Sequence, residues 1–249
     1  MALQIFVLPW LVISWLTCSC FAHDKCPPEF ISLQDSCLCD DTREGWDVWC
    51  TNSESPEARF HLSGGSLWVT CHDIDEIGLN FYLQNISFSS SPGKLTSLVF
   101  TDCQVPSGSY SSMLKLADIQ GVKELHVNLG YAKENALIAG QFTGVNVEHI
   151  RLSNNHLESL DKDTFQGLGA NLKSLVLSSN GLEKLPSGCL QFLVNLRRLE
   201  IIEPKVKEMP TDLLSNLTEL VDVRISCPLD QQLDPDFFAK NNKIGNVQL

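Results

Sequence analysis

The chain reads as an α/β solenoid: a coil of stacked units with short parallel strands on its concave face and a disulfide-bonded cap at its amino end. Three observations predict this. An apolar register returns four times, with starts 25, 24 and 24 residues apart. A tight cysteine cluster stands ahead of that array. An apolar export signal precedes both and assigns the cysteines to an oxidising compartment.

The export signal comes first. Residues 2–16 carry no charge, and Cys20-Phe21-Ala22 supplies small residues three and one positions before a cut ahead of His23. Residues 1–22 are therefore expected to be a signal peptide, although only the free amino terminus supplies the positive charge usual at its start. A retained membrane anchor is the competing interpretation, disfavoured by the length and flanks of the segment. Cleavage removes Cys18 and Cys20 and leaves Cys26, Cys37, Cys39, Cys50, Cys71, Cys103, Cys189 and Cys227, an even number suited to a disulfide framework. The mature part is expected to be extracellular or at the cell surface.

Charge narrows the partners. Eighteen Lys and Arg against 30 Asp and Glu give a net −12. Phosphate neutralisation needs clustered cations, so nucleic acid is not expected as a partner, and a basic protein is easier to accommodate than an acidic one. The sequons Asn85-Ile86-Ser87 and Asn216-Leu217-Thr218 mark Asn85 and Asn216 as glycosylation candidates.

The cap is expected over residues 23–63. Its cysteines, Cys26, Cys37, Cys39 and Cys50, have the spacing C-x10-C-x-C-x10-C. Zinc binding competes for any C-x-C pair, but it fits poorly in an exported chain with no C-x2-C and no histidine cluster nearby.

Repeats are expected over residues 64–249. Val147, Ile150, Leu152, Asn155, Leu157 and Leu160 fit the leucine-rich pattern L-x-x-L-x-L-x-x-N-x-L-x-x-L, with Phe165 and Leu168 completing the unit. Leu172, Leu175, Leu177, Asn180, Leu182 and Leu185 repeat it. Leu196, Leu199, Ile201, Val206 and Met209 make a third unit, and Leu220, Val223 and Ile225 begin a fourth. Unit positions 4 and 6 alternate inward on a strand. One unit cannot bury this face alone, so neighbours must stack. Asn155 and Asn180, at position 9, should form a hydrogen-bonded ladder, whereas Pro204 and Pro228 there require differently built turns.

The pattern also runs backwards through Val122, Leu125, Val127 and Gly130, then Leu95, Leu98, Phe100, Cys103 and Val105, to a weaker unit around Leu67, Val69 and Ile74. Spacings of 31 and 27 residues predict loops on the back of this part. Forwards, Ile244, Val247 and Leu249 begin another strand without a polar terminal cap, so the array is expected to be a truncated piece of a longer protein.

The cap resembles the amino-terminal cysteine caps of extracellular leucine-rich-repeat proteins, and that likeness implies bonds Cys26–Cys39 and Cys37–Cys50. Each would close a loop of about 14 residues and contribute about 3 kcal/mol. Beyond it come Arg59-Phe60-His61-Leu62, then Val69-Thr70-Cys71, then Cys103-Gln104-Val105-Pro106. This succession resembles the amino-terminal end of arthropod Toll receptors, over nearly the whole mature chain. The resemblance implies a Cys71–Cys103 bond across adjacent coils. It implies a ligand-binding fragment of an innate-immune or developmental receptor, recognising a Spätzle-like cystine-knot cytokine, with a receptor dimer as a further association. Membrane attachment would then come only through a missing C-terminal segment. An extracellular adhesion or matrix protein, or a soluble decoy, are the alternatives.

Binding is expected on the strand positions facing the concave side. Position 3 gives Ser97, Glu124, His149, Ser174, Arg198 and Asp222; position 5 gives Val99, His126, Arg151, Val176, Glu200 and Arg224. The ligand-binding candidates are Glu124, His126, His149, Arg151, Arg198, Glu200, Asp222 and Arg224. Arg151, Arg198 and Arg224 are the expected anchors, since arginine is favoured at interface hot spots. His126 and His149 lack a third ligand, so no metal site is expected, and His72, Asp73 and Asp75 read as a polar turn. No nucleophile, phosphate-loop or dinucleotide motif occurs, so neither an enzyme nor a cofactor is expected. Cys189 is expected to be a buried free thiol. Cys227 is expected to point outward, toward a partner beyond residue 249 or in another chain.

Overall fold

The computed structural model describes residues 26–33, 35–52, 55–88, 95–132, 135–230 and 232–249. The expected signal peptide lies outside them. Among the described residues no helix is long and apolar enough to cross a membrane.

A 3-10 turn over Pro28–Leu33 leads into an antiparallel meander: β1 (Cys37–Thr42), β2 (Gly45–Asn52), β3 (Ser55–Ser63) and β4 (Ser66–Cys71). Beyond it come α1 (Glu76–Leu83), β5 (Ser97–Thr101), α2 (Tyr110–Leu116), β6 (Glu124–Asn128), β7 (Ala136–Leu137), β8 (His149–Ser153), β9 (Ser159–Leu160), β10 (Ser174–Ser178), β11 (Arg198–Ile202), β12 (Asp222–Ser226) and β13 (Asn246–Gln248). Strand β4 is the pivot, antiparallel to β3 on one side and parallel to β5 on the other. From there the sheet runs on in parallel through β6, β8, β10, β11, β12 and β13, while β7 and β9 pair separately. Cap and repeats therefore share one sheet.

Burial follows the expected register. Ile150, Leu152, Leu175, Leu177, Leu199, Ile201, Val223 and Ile225 are all buried on the inner side of the strands. The return arms contribute Phe165, Leu168, Leu190, Leu193, Leu214 and Leu217 to the same core. Apolar burial stabilises by roughly 25 cal/mol per Å2, and only neighbouring units supply the surface to bury against. Coils approach closely enough that a Cβ on Gly169 would collide with the Phe192 carbonyl.

The back of the first two units differs from expectation. The longer spacings accommodate the helices α1 and α2 where loops were predicted. Each is started by a polar cap: Asp75 accepts from the Gly78 N–H at 2.8 Å, and Ser109 from the Ser111 N–H at 3.2 Å. Capping satisfies amide donors that a short helix leaves free.

The ladder forms, and it extends beyond its asparagines. Asn155 Oδ1 accepts from the Gly130 N–H at 2.8 Å, and Asn155 Nδ2 donates to Asn180 Oδ1 at 2.8 Å. Gly130 stands at the ladder position because a Cβ there would press on Asn155 Oδ1 at 2.9 Å. Asn180 Nδ2 then donates to Glu203 Oε1 at 2.7 Å, and the Asn180 and Gly181 N–H groups also reach that carboxylate. Glu203 is fully buried. It does from position 8 what Pro204 cannot do from position 9.

Disulfides join Cys26–Cys39, Cys37–Cys50 and Cys71–Cys103, with Cα separations of 5.2, 4.2 and 4.9 Å. The first two tie the meander and the third ties β4 to the turn after β5. Under them Phe60 packs on Phe30 and Tyr82 at ring-centroid distances of 5.5 and 6.4 Å. Tyr110, Phe142 and Phe165 continue the interior as a near-parallel stack at 5.3 and 5.7 Å.

Candidate functional site: the concave sheet face

Strand registry brings the position-5 residues into one row. Val99 is paired with His126, His126 with Arg151, Arg151 with Val176, Val176 with Glu200, and Glu200 with Arg224. A second row runs Ser97, Glu124, His149, Ser174, Arg198, Asp222 and Asn246. All eight ligand-binding candidates stand in these two rows. The cap extends the first of them, because Val99 pairs with Trp68, Trp68 with His61 and His61 with Asp47. Those cap residues were not among the candidates, since the leucine register has no counterpart in an antiparallel meander. Registry with Val99 is what connects them.

The two ends of the face differ in how their charges are used. At the carboxy end Arg198 Nη2 donates to Glu200 Oε2 at 3.2 Å, and Arg224 Nη1 to Glu200 Oε1 at 3.5 Å. Arg198 also lies 3.7 Å from Asp222, and Asn246 donates to Asp222 at 2.8 Å. Glu200, expected to face solvent, is only 7% exposed, because both guanidinium groups close over it. Val176 is likewise buried, overtopped by the longer Arg151 and Glu200 beside it in the row. Two of the three expected arginine anchors are thus held by a carboxylate of their own sheet.

Arg151 is exposed and makes no ion pair among the described residues. Beside it, burial pulls the His126 imidazole below its usual range. Glu124, 3.6 Å away, opposes that shift, while Arg151 and His149 reinforce it. A groove of about 540 Å3 opens between Trp68, Val99, Lys123, Glu124 and His126. It meets a second, of about 460 Å3, lined by Glu44, Arg59, His61 and Trp68. In the latter Asp47 accepts from Arg59 at 2.9 Å and lies 3.0 Å from His61. Burial raises the Asp47 carboxyl, but those two partners outweigh it and leave its pKa below the ordinary value. Arg59 also lies over the Trp49 ring at 5.4 Å, and His61 packs on Trp68 at 5.1 Å. Although the chain is acidic overall, Lys123 and Arg151 place two cations at this end, beside Glu124.

The remaining candidates are dispersed. Asn216 is exposed, and Asn85 is half-buried just past the end of α1. Cys189 is a fully buried thiol, pushed up to about 12 chiefly by burial. Cys227 does not point outward: it is half-buried against the core, because it occupies the unit position that turns Glu203 inward one coil earlier. Burial raises its pKa as well.

Residues 145–203 match the family profile described as Leucine rich repeat. No curated protein matches the sequence. Among solved structures, a chain of the Drosophila Toll–Spatzle complex aligns with a TM-score of 0.54 and 17% identity, over 85% of this chain and 31% of that one. The glycosylated form of that complex aligns with a TM-score of 0.37 and 14% identity, over 86% and 38%. A chain of a TLR13–ssRNA13 complex gives 0.33 and 16%, over 71% and 34%. The chain therefore spans about a third of the length of each of these structures. It is built as a leucine-rich-repeat domain with a disulfide-stapled amino end, similar in fold to the aligned chain of the first complex.

Proposed function

We propose that this chain is an extracellular ligand-binding part of a Toll-like receptor ectodomain, and that it recognises a Spätzle-like cystine-knot cytokine on the amino-terminal half of its concave face. The observation that carries the proposal is the outward-facing row Trp68, Val99, His126 and Arg151, of which Arg151 is exposed and the other three are half-buried. It joins the cap to the repeats and ends in a guanidinium free of ion pairs among the described residues. Three interstrand steps give that row a length of roughly 14 Å, enough for one projecting loop or strand edge. Tryptophan and arginine are the side chains most often dominant at interfaces. Trp68 and Val99 in the groove wall, with Lys123 and Arg151 close by, suit a ligand segment that pairs a hydrophobic side chain with a carboxylate. The succession of cap, first-repeat cysteines and repeats, which resembles Toll receptors, supports the choice of ligand class.

Immobilising the chain and titrating a dimeric cystine-knot cytokine tests this. Trp68→Ala and Arg151→Ala should each weaken binding by at least about 2 kcal/mol, or roughly thirtyfold. Arg198→Ala, whose guanidinium is already committed to Glu200, should change it by less than about 1 kcal/mol. Equal losses from Arg151→Ala and Arg198→Ala would place the interface elsewhere. Single-stranded RNA serves as the competing ligand: binding of RNA by this face, with none of the cytokine, would replace the proposal.

A further inference from the structure

Helix α1 carries the most exposed large apolar side chains on the back of the coil. Ile77 is 79% exposed and Phe81 52%. They stand one helical turn apart, so they share a face. Clustered exposed apolar groups mark surfaces that something covers.

Asn85 lies one further turn along the same stripe, immediately after the Gln84 cap, and begins a sequon with Ile86 and Ser87. Its side chain is laid back over the last turn, with Nδ2 donating to the Phe81 carbonyl at 2.8 Å. Ile86 is buried, which pins the turn and fixes the direction of the Asn85 side chain. An N-glycosidic bond replaces one of the two hydrogens on Nδ2, and the other still serves the Phe81 carbonyl. The first sugar, an N-acetylglucosamine, has a C–H-lined pyranose face that complements the negative face of an aromatic ring.

We infer that Asn85 carries an N-linked glycan whose first sugars lie along α1 and cover Phe81 and Ile77, so that this patch is shielded by carbohydrate and is not a protein-docking surface. The inference rests on export of the chain and not on the cytokine proposal.

Chain secreted from insect cells, analysed by glycopeptide mass spectrometry and then by carbene footprinting before and after enzymatic deglycosylation of the folded protein, tests it. The expected result is an occupied Asn85, with labelling of Phe81 and Ile77 that rises on deglycosylation. The isolated exposed residues Ile138 and Val194, 46% and 47% exposed, should be labelled equally in both states. An unoccupied Asn85 in secreted protein would overturn the inference. So would unchanged labelling of Phe81, whether high because the glycan extends into solvent or low because a second copy covers the helix. Absence of the chain from the medium, with no glycan on Asn85 or Asn216, would instead remove the export premise and the inference with it.

Discussion

Between the cap and β6 the sheet is held by a disulfide, capped helices and packed aromatic rings; between β8 and β12 it is held by leucines and a line of buried amides ending in Glu203. The outer faces of these two regions also differ. The regular region ties Arg198 and Arg224 to Glu200 but leaves Arg151, on its first strand, without an ion pair among the described residues. The irregular region beside it presents Trp68 and Val99 half-buried on the same row. A charged residue on a repeat strand is therefore no guide to availability. Its neighbour one coil away decides whether it can meet a ligand or is already satisfied.

The largest expected effect tests how the amino end is held. Replacing both Cys71 and Cys103 by alanine reopens a loop with a sequence separation of 32 residues. This should cost about 4 kcal/mol, read as a lower urea midpoint. A loss below about 1 kcal/mol would mean that the aromatic core suffices there.

Next comes the amide line. Asn180→Ala removes donors from a buried carboxylate and should cost about 3 kcal/mol, more than an ordinary deletion of a neutral hydrogen bond. The pH dependence sharpens this. Burial raises the Glu203 pKa, and the donors from Asn180, Gly181 and Leu182 only partly oppose it. The folded state then holds the proton at pH values where the unfolded chain has lost it. Stability relative to Glu203→Gln should therefore increase as pH falls from the raised folded value toward the ordinary glutamate value, and level off below it. Thermal melts of the two proteins across pH 4 to 8 would check the sign; the opposite slope would mean that the amides win over burial.

The smallest effect concerns His126. Its folded pKa is lowered, so the unfolded chain protonates first as the pH drops. The wild type should lose stability relative to His126→Gln between the ordinary histidine value and the lowered one, and be unaffected at higher pH. A flat difference across that window would show that His126 is more open to water than its neighbours suggest.

How much of this was legible beforehand depended on distance along the chain. The buried leucines, the Asn155–Asn180 rung and the strand positions were readable because each is set by a burial pattern repeating within one unit. The helices on the back lie outside the repeat: the long spacings predict only that extra chain stands there, and it is the caps at Asp75 and Ser109 that turn it into helix. Glu203 was missed because a ladder at position 9 gives no reason to look for a carboxylate at position 8. Cys227 was misplaced for the same reason.

From the sequence alone, the stacked coil and the pairs of strand positions facing outward followed, since hydrophobic burial at a fixed period leaves one way to stack the units. The pairing of the staples at its amino end was implied by the resemblance of the cysteine spacing to known caps. Only the tertiary structure decided that Asp47, His61 and Trp68 of the cap join the concave row, that Arg198 and Arg224 are occupied while Arg151 is free of ion pairs among the described residues, and that Glu203 ends the amide ladder. The reason is that these relations link residues on different strands. They depend on registry and on which side chains compete for a partner, and no period within a single unit encodes either.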